Sequence, residues 1–268
     1  MRVMSITGAG ISVGSGLPTY RGATGRYTEI EALHKMPVEQ IVSRQTLKQN
    51  PELLWRHWHT LLMALKSAVP SEAHKALKSI SDASSDYLEL TQNVDGLSLR
   101  AGLDPQRLVE LHGSTHSYSC FRCGEKHELA ITEDMVLPPR CYRCRHPAQA
   151  PIRPDVVLFG ENIKTENYNK VMAHARSTNL LIISGTTLQF PYLMDPIAAA
   201  LVNCATVLYV DPQAASDNLL FCLIPQELEP EFRIRCIQDS ADVILPRIAT
   251  FLENSHDLSG LMAAIRNP

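Results

Sequence analysis

The sequence predicts an α/β fold: a Rossmann-like parallel sheet with helices on both faces, carrying a helical insertion and a small cysteine-bearing module. Three observations predict it. Short apolar runs at residues 2–7, 87–91, 180–184 and 206–210 alternate with helix-like stretches, the pattern of a parallel sheet covered on both faces. The first run ends in a glycine turn, Gly8-Ala9-Gly10-Ile11-Ser12. A polar stretch at 118–151, rich in Cys, Arg, His and Pro, interrupts the alternation with two cysteine pairs.

Each element has its own signal. Residues 2–7 read as a strand running through the glycine turn into a helix start. From about 25 to 69 the pattern is helical, with Asn50-Pro51 opening one helix and Val69-Pro70 closing it. Residues 71–81 read as a further short helix. The strand at 87–91 carries Gln92-Asn93-Val94-Asp95-Gly96 at its end, and a short strand at 107–111 ends at His112-Gly113-Ser114. After the polar stretch, apolar runs at 156–159, 180–184 and 206–210 read as strands separated by helices at 166–177 and 192–203. A last helix is expected at 240–253, followed by a frayed end. The expected division is a Rossmann-like domain from 1–25, 80–117 and 153–268, a helical insertion with a cofactor-binding loop at 26–79, and a metal module at 118–152.

Composition narrows the class. The 268 residues are 45% hydrophobic and 20% charged, enough apolar material for a sizeable core. A net charge of -3 supplies no basic footprint for a nucleic-acid backbone, so no direct nucleic-acid binding is expected. No apolar run reaches the ~18 residues that cross a bilayer, so no membrane association is expected. The first strand begins at once and leaves no room for a leader peptide, so a cytosolic or nuclear location is the expectation. Composition is silent on oligomeric state.

Cys120-Phe-Arg-Cys123 and Cys141-Tyr-Arg-Cys144 are two C-x2-C turns separated by 17 residues. Each turn aims two thiolates at one point, and two turns complete a tetrahedron around Zn²⁺. Arg122, Arg143 and Arg145 would partly balance the excess negative charge of four thiolates. A redox pair or free thiols are the alternatives; His127 or His146 could replace a ligand. Too few apolar residues occupy this stretch for a core of its own, so the metal would be its staple. Four protein ligands leave no open position, which makes the zinc structural. Cys204, Cys222 and Cys236 stand in apolar contexts and read as buried thiols.

Gly8 and Gly10 suit a turn whose backbone N–H groups approach a pyrophosphate at a helix N-terminus, although the full G-x-G-x-x-G pattern is absent because Val13 stands where the third glycine belongs. A plain tight turn reads equally. Asp211 closes the strand at 206–210, where a carboxylate can grip ribose hydroxyls or cap the next helix. Gln92-Asn93-Asp95, His112 and Asp155 end apolar runs and could converge beyond the strand ends; His112 reads as a general base or as a structural turn residue.

Taken together, these residues carry a resemblance. Gly8-Ala9-Gly10-Ile11-Ser12, Ser15-Gly16-Leu17-Pro18, Tyr20-Arg21-Gly22 and Thr91-Gln92-Asn93-Val94-Asp95-Gly96-Leu97 resemble the sirtuins, NAD-dependent protein-lysine deacylases. So do Leu111-His112-Gly113-Ser114, the cysteine pairs, Val157-Leu158-Phe159-Gly160-Glu161 and Gly185-Thr186-Thr187-Leu188, in family order across about residues 4–245. The resemblance implies that Ala9, Asn93 and Asp95 line a nicotinamide pocket, with Tyr20 and Arg21 on a loop that closes over NAD. Gln92 would touch the nicotinamide ribose, and Gly185, Thr186, Thr187 and Asp211 would hold the adenosine half. Asn93 and His112 would be the catalytic pair, His112 as general base. The products would be nicotinamide, 2′-O-acyl-ADP-ribose and free lysine. An acylated peptide would add as a strand beside Val157, Leu158, Phe159 and Gly160.

Several positions depart from the family: Tyr20 stands for Phe, Thr187 for Ser, Asp211 for Asn and Ser98 for His. One departure bears on substrate. Family members that remove acidic acyl groups carry Tyr and, three residues on, Arg in the helix after Asn-Pro; here Trp58 and Leu61 stand there. A distal carboxylate would find no bidentate partner, so acetyl or longer apolar acyl groups are expected over succinyl. Trp58 and Leu61 also suit ordinary core positions. Two further functions are compatible with the motifs: ADP-ribosyl transfer to protein from the same NAD pocket, and a weakly active acyl-lysine reader.

Overall fold

The computed structural model describes all residues except 22–24, 145–149, 215–223, 230–232, 256 and 267–268, so Gly22, Arg145, His146 and Cys222 lie outside the described residues. Nine strands are described: β1 (Arg2–Thr7), β2 (Asp86–Thr91), β3 (Leu108–Glu110), β4 (Gly113–Cys120), β5 (Lys126–His127), β6 (Ile152–Val156), β7 (Leu180–Ser184), β8 (Thr206–Val210) and β9 (Ile234–Ile237). Six of them form one parallel sheet in the order β3-β2-β1-β7-β8-β9. From β1 the chain winds outward through β2 and β3, then returns to build β7, β8 and β9 on the other side. That reversal opens a crevice beyond the carboxyl ends of β1 and β7, the place where doubly wound sheets bind ligands.

Side chains alternate across the sheet because successive Cβ atoms point to opposite faces. Met4, Ile6, Leu88, Leu90, Leu181 and Ile183 pack under the Thr165–Ala175 and Met194–Val202 helices. Val3, Tyr87, Leu180, Ile182 and Leu208 pack under the helices Glu72–Ala83, Ala241–Asn254 and Leu261–Arg266. The Glu72–Ala83 helix, which spans the boundary expected at 79/80, is therefore part of the sheet's cover. Beyond the last helix expected, Leu261–Arg266 forms a further one, because Leu261 and Ile265 are buried in that second cluster; the fraying expected of the final residues falls on 267–268, outside the described residues.

Beside the main sheet, β4 pairs antiparallel with β5 and β6 in a three-stranded sheet. This corrects the reading of residues 156–159 as a strand of the parallel sheet. The strand is Ile152–Val156, and Val157, Leu158 and Phe159 form a connection beyond it. Val157 N–H donates to the His112 carbonyl at 2.7 Å and Phe159 N–H to the Val42 carbonyl at 3.1 Å. Asp155 is corrected with it: its carboxylate accepts from Ser117, Ser119 and Lys126 and takes no part in the crevice.

The Pro51–Ser67 helix starts where Asn50 Oδ1 accepts from Leu53 N–H and Pro51 fills the first turn. It buries Leu54, Trp55, Trp58, Leu62 and Leu65 in one cluster with Tyr118, Cys120, Cys141 and Ile152. Phe121, Leu129, Ile131, Met135 and Leu137 pack against the same cluster. The metal module is thus not without apolar support; it shares a core with this helix, and Trp55 Nε1–H donates to the Ile152 carbonyl at 2.6 Å across the seam. Cys204 is exposed, not buried, in a left-handed turn (φ 57) after the Met194–Val202 helix. Cys236 is half-buried.

Candidate active site at the switch point

A cavity of about 800 Å³ opens at the crevice between β1 and β7. Its walls bring together Gly8, Ala9, Gly10, Tyr20, Arg21, Gln92, Asn93, His112, Gly185, Thr186, Thr187 and Asp211, and also Trp58, Leu61, Val157, Leu158, Phe159 and Gly160. Residues spread over the whole chain therefore meet on one surface. Asp95 does not line it. Its carboxylate lies behind the wall, accepting from Ser12 Oγ at 2.8 Å and from Leu97 N–H at 2.9 Å.

The two glycines do a job that spacing did not reveal. A Cβ on Gly10 would lie 2.5 Å from Gly185 Cα, and one on Gly8 would lie 2.7 Å from the Gly185 carbonyl oxygen. Their bareness lets the β1 turn and the β7 turn touch, and Gly10 N–H donates to the Gly185 carbonyl at 2.8 Å. Gly185 itself needs to be glycine, at φ 60.

Polar groups converge on this junction. Asn93 Nδ2 donates to the Gly8 carbonyl at 3.0 Å, while its buried Oδ1 has no partner among the described residues. An unpaired buried acceptor is costly, so this atom fits a ligand that brings a donor. Gln92 Nε2 donates to Thr186 Oγ1 at 2.9 Å and ties the β2 end to the β7 end. Asp211 Oδ1 accepts from Gln213 N–H at 2.9 Å, and burial raises the carboxyl's pKa. Arg21 is paired with Glu39 at 3.0 Å and stacks over Tyr27.

His112 sits on the wall after β3. Its Nδ1 lies 2.8 Å from the Gln92 carbonyl, which can only accept, so Nδ1 carries the proton and Nε2 the lone pair. Burial holds the ring below its ordinary pKa, which keeps it neutral. A neutral imidazole with a fixed tautomer facing a cavity can accept a proton from a bound hydroxyl.

Away from the cavity, the sulfurs of Cys120, Cys123, Cys141 and Cys144 lie within 4.8 Å of one another. The Cys120–Cys144 and Cys123–Cys141 separations are 4.0 and 3.9 Å. Four thiolates at Zn–S distances of about 2.3 Å stand roughly 3.8 Å apart, so the set fits a tetrahedral zinc ion. His127 Nε2 lies 3.2 Å from Cys141 Sγ, where it can hydrogen-bond the thiolate without entering the tetrahedron.

A family model described as Sir2 family matches residues 8–191. The chain belongs to the Sir2 family. A relative from Pseudomonas aeruginosa, named NAD-dependent protein deacylase 2, is 35% identical over 73% of this chain and 75% of its own. One from Aquifex aeolicus, named NAD-dependent protein deacylase, is 31% identical over 80% of this chain and 84% of its own. Among solved structures, a Sir2 homologue mutant in complex with ADP-ribose superposes with a TM-score of 0.77 at 22% identity, covering 94% of this chain and 91% of the other. At that identity the likeness speaks for the fold alone.

Within this Sir2-family cavity, sequence reasoning passed over Arg26, Phe190 and Tyr192, which also line it. Arg26 Nη2 donates to the His57 carbonyl at 2.6 Å, beside Trp58 on the same helix. No motif marks these positions. Their only signal is the proximity of Phe190 and Tyr192 to the Gly185-Thr186-Thr187-Leu188 segment.

Proposed function

We propose that the cavity of this NAD-dependent protein-lysine deacylase works on acetyl and longer apolar acyl groups in preference to succinyl, with His112 as the base. The observation that carries the reading is His112 itself, held in one tautomer by the Gln92 carbonyl at the switch-point cavity. The relatives' names support the activity.

NAD supplies the ADP-ribosyl group that takes over the acyl chain and the nicotinamide that leaves. The chain's residues bind, orient and move the proton. Gly8, Ala9, Gly10 and Asn93 border the nicotinamide side, with Asn93 Oδ1 as the waiting acceptor. Asp95 acts from behind the wall by fixing Ser12, which in turn faces Asn93 Nδ2 at 3.3 Å. Gly185, Thr186, Thr187 and Asp211 border the adenosine side, and Tyr20 and Arg21 lie on the segment that flanks both. His112 Nε2 takes the ribose hydroxyl proton.

An acylated peptide reaches the cavity beside Val157, Leu158, Phe159 and Gly160. Much of this backbone is engaged, since Leu158 N–H donates to Glu161 Oε2 and the Phe159 carbonyl accepts from Arg44 N–H. The Val157 carbonyl and Gly160 N–H have no partner among the described residues, so main-chain pairing falls there. The acyl chain meets Trp58, Leu61 and Ile30, with no carboxylate partner at position 61.

A panel of acyl-lysine peptides assayed with NAD tests both parts. Acetyl- and butyryl-lysine are expected to turn over faster than succinyl-lysine; the reverse order would make Arg26 a carboxylate partner and sink the acyl preference. His112→Ala is expected to lower kcat by about 10²- to 10⁴-fold while NAD still binds. Unchanged turnover in that variant would refute the base.

A further inference from the structure

The cavity wall beside His112 carries an aromatic pair that the reaction scheme leaves unused. Phe190 and Tyr192 flank Pro191 on the turn that leads into the Met194–Val202 helix, and their rings stack at 5.4 Å with an interplanar angle of 13°. Both meet His112 edge-on, with centroids 5.5 and 6.1 Å away. The Tyr192 hydroxyl lies 2.5 Å from His112 Nε2.

The direction of that contact follows from the other nitrogen. Because Nδ1–H is committed to the Gln92 carbonyl, Nε2 has only a lone pair to offer, and Tyr192 must donate to it. A ring nitrogen has one in-plane lone pair. A hydroxyl about to be deprotonated by His112 must occupy that same position. Burial raises the Tyr192 pKa, so the phenol keeps its proton and remains a donor. Around the ring, Gln92, Phe190 and Val157 are neutral. Tyr27, from the Arg26–His34 helix, is the titratable group acting on Tyr192 from the facing element.

We propose that Tyr192 masks the base of the free protein, and that the ribose hydroxyl of NAD must displace it, so that Tyr192 sets cofactor affinity. The proposal rests on the reading of His112 as the base of an NAD-binding cavity. Tyr192 thus competes with the cofactor for one lone pair. The near-parallel stack with Phe190 gives the displaced ring a surface to slide along and holds it near the site between turnovers.

Tyr192→Phe keeps the ring stack and removes the hydroxyl. Calorimetric titration with NAD and with ADP-ribose is expected to show about three- to tenfold tighter binding to the variant than to the wild type. His112, followed by NMR, is expected to titrate at higher pH in the variant, because a donor favouring the neutral ring has gone. Equal or weaker NAD affinity would overturn the proposal, making Tyr192 a bystander or a cofactor contact. A wild-type protein that binds no NAD would overturn it together with the proposed function. Binding without turnover of any acyl-lysine would sink the deacylase reading alone and leave the affinity comparison valid. Should the variant melt abnormally, the wild type gives a second reading. Tyr192 ring signals must shift when ADP-ribose is added, and unshifted signals in the bound state contradict displacement.

Discussion

Glu89 projects from β2 fully buried, with Thr7 Oγ1 and Ser98 Oγ donating to Oε1 at 2.8 and 2.9 Å and no partner for Oε2 among the described residues. It links the residue before the β1 turn to the helix turn after Asp95. Burial pushes its carboxyl up from 4.5 to about 7, helped by Asp95 and Glu110 and opposed by the two hydroxyls. The folded state therefore holds a proton that the unfolded chain releases between these values. Its stabilising contribution is complete below about pH 4.5 and is lost as pH rises through about 7. Glu89→Gln is expected to flatten urea-measured stability across that window and to gain up to about 3 kcal/mol at pH 8. A variant with the wild-type pH slope would show that other groups carry it. At this scale the sequence was readable where chemistry is local: the four cysteines by spacing, whereas the place of His112 after a strand left a general base and a structural turn residue equally open. Tyr192 was not readable, because its meaning lies in a contact with a histidine 80 residues away. The resemblance implies Asp95 in the wall of the nicotinamide pocket, whereas its carboxylate is held behind the wall by Ser12 and Leu97, contacts that a motif does not display.

The turns after β1 and β7 act as one unit, since Gly8 and Gly10 have no space for a side chain against Gly185 and Thr186. Gly10→Ala would drive a Cβ into backbone, which has no rotamer to yield. It is expected to cost more than about 1 kcal/mol in urea unfolding and to weaken NAD binding with it. Retained affinity in a destabilised variant would separate the two turns from the cofactor site. Among elements, five strands of the main sheet were legible as short apolar runs; β9 was not, because at the sheet edge only its Ile234 is buried and Arg235 interrupts the run. The exceptions have a common cause. β4 reads Gly-Ser-Thr-His-Ser-Tyr-Ser-Cys, half solvated and interrupted by a register shift near Ser114, so no run marks it. Residues 156–159 are apolar because they line the cavity and the shared core, not because they join the parallel sheet.

For the whole molecule, the zinc module and the helical insertion stand or fall together. They share the cluster around Trp55 and Trp58, and these are the two tryptophans of the chain. Chelating the metal should shift tryptophan emission to longer wavelength as the cluster loosens, and activity should fall in step because Trp58 lines the cavity. Refilling with cadmium, redox-inert and tetrahedral, should restore both signals. Activity that varied with the metal while emission stayed constant would give the ion a chemical part. Sequence spacing found the ligands but not this shared core, since its residues come from segments as far apart as Trp55 and Ile152, 97 residues along the chain. Fold order was legible as a class only; that the chain reverses between β1 and β7, and so places the crevice, needed the strand pairings.

The central claim is that this crevice transfers an acyl group from lysine to NAD-derived ADP-ribose. Product analysis by mass spectrometry, after incubation with NAD and an acetyl-lysine peptide, tests it most directly. Nicotinamide, deacetylated peptide and 2′-O-acetyl-ADP-ribose should form in equal amounts. ADP-ribose attached to protein, or no consumption of NAD, would contradict it.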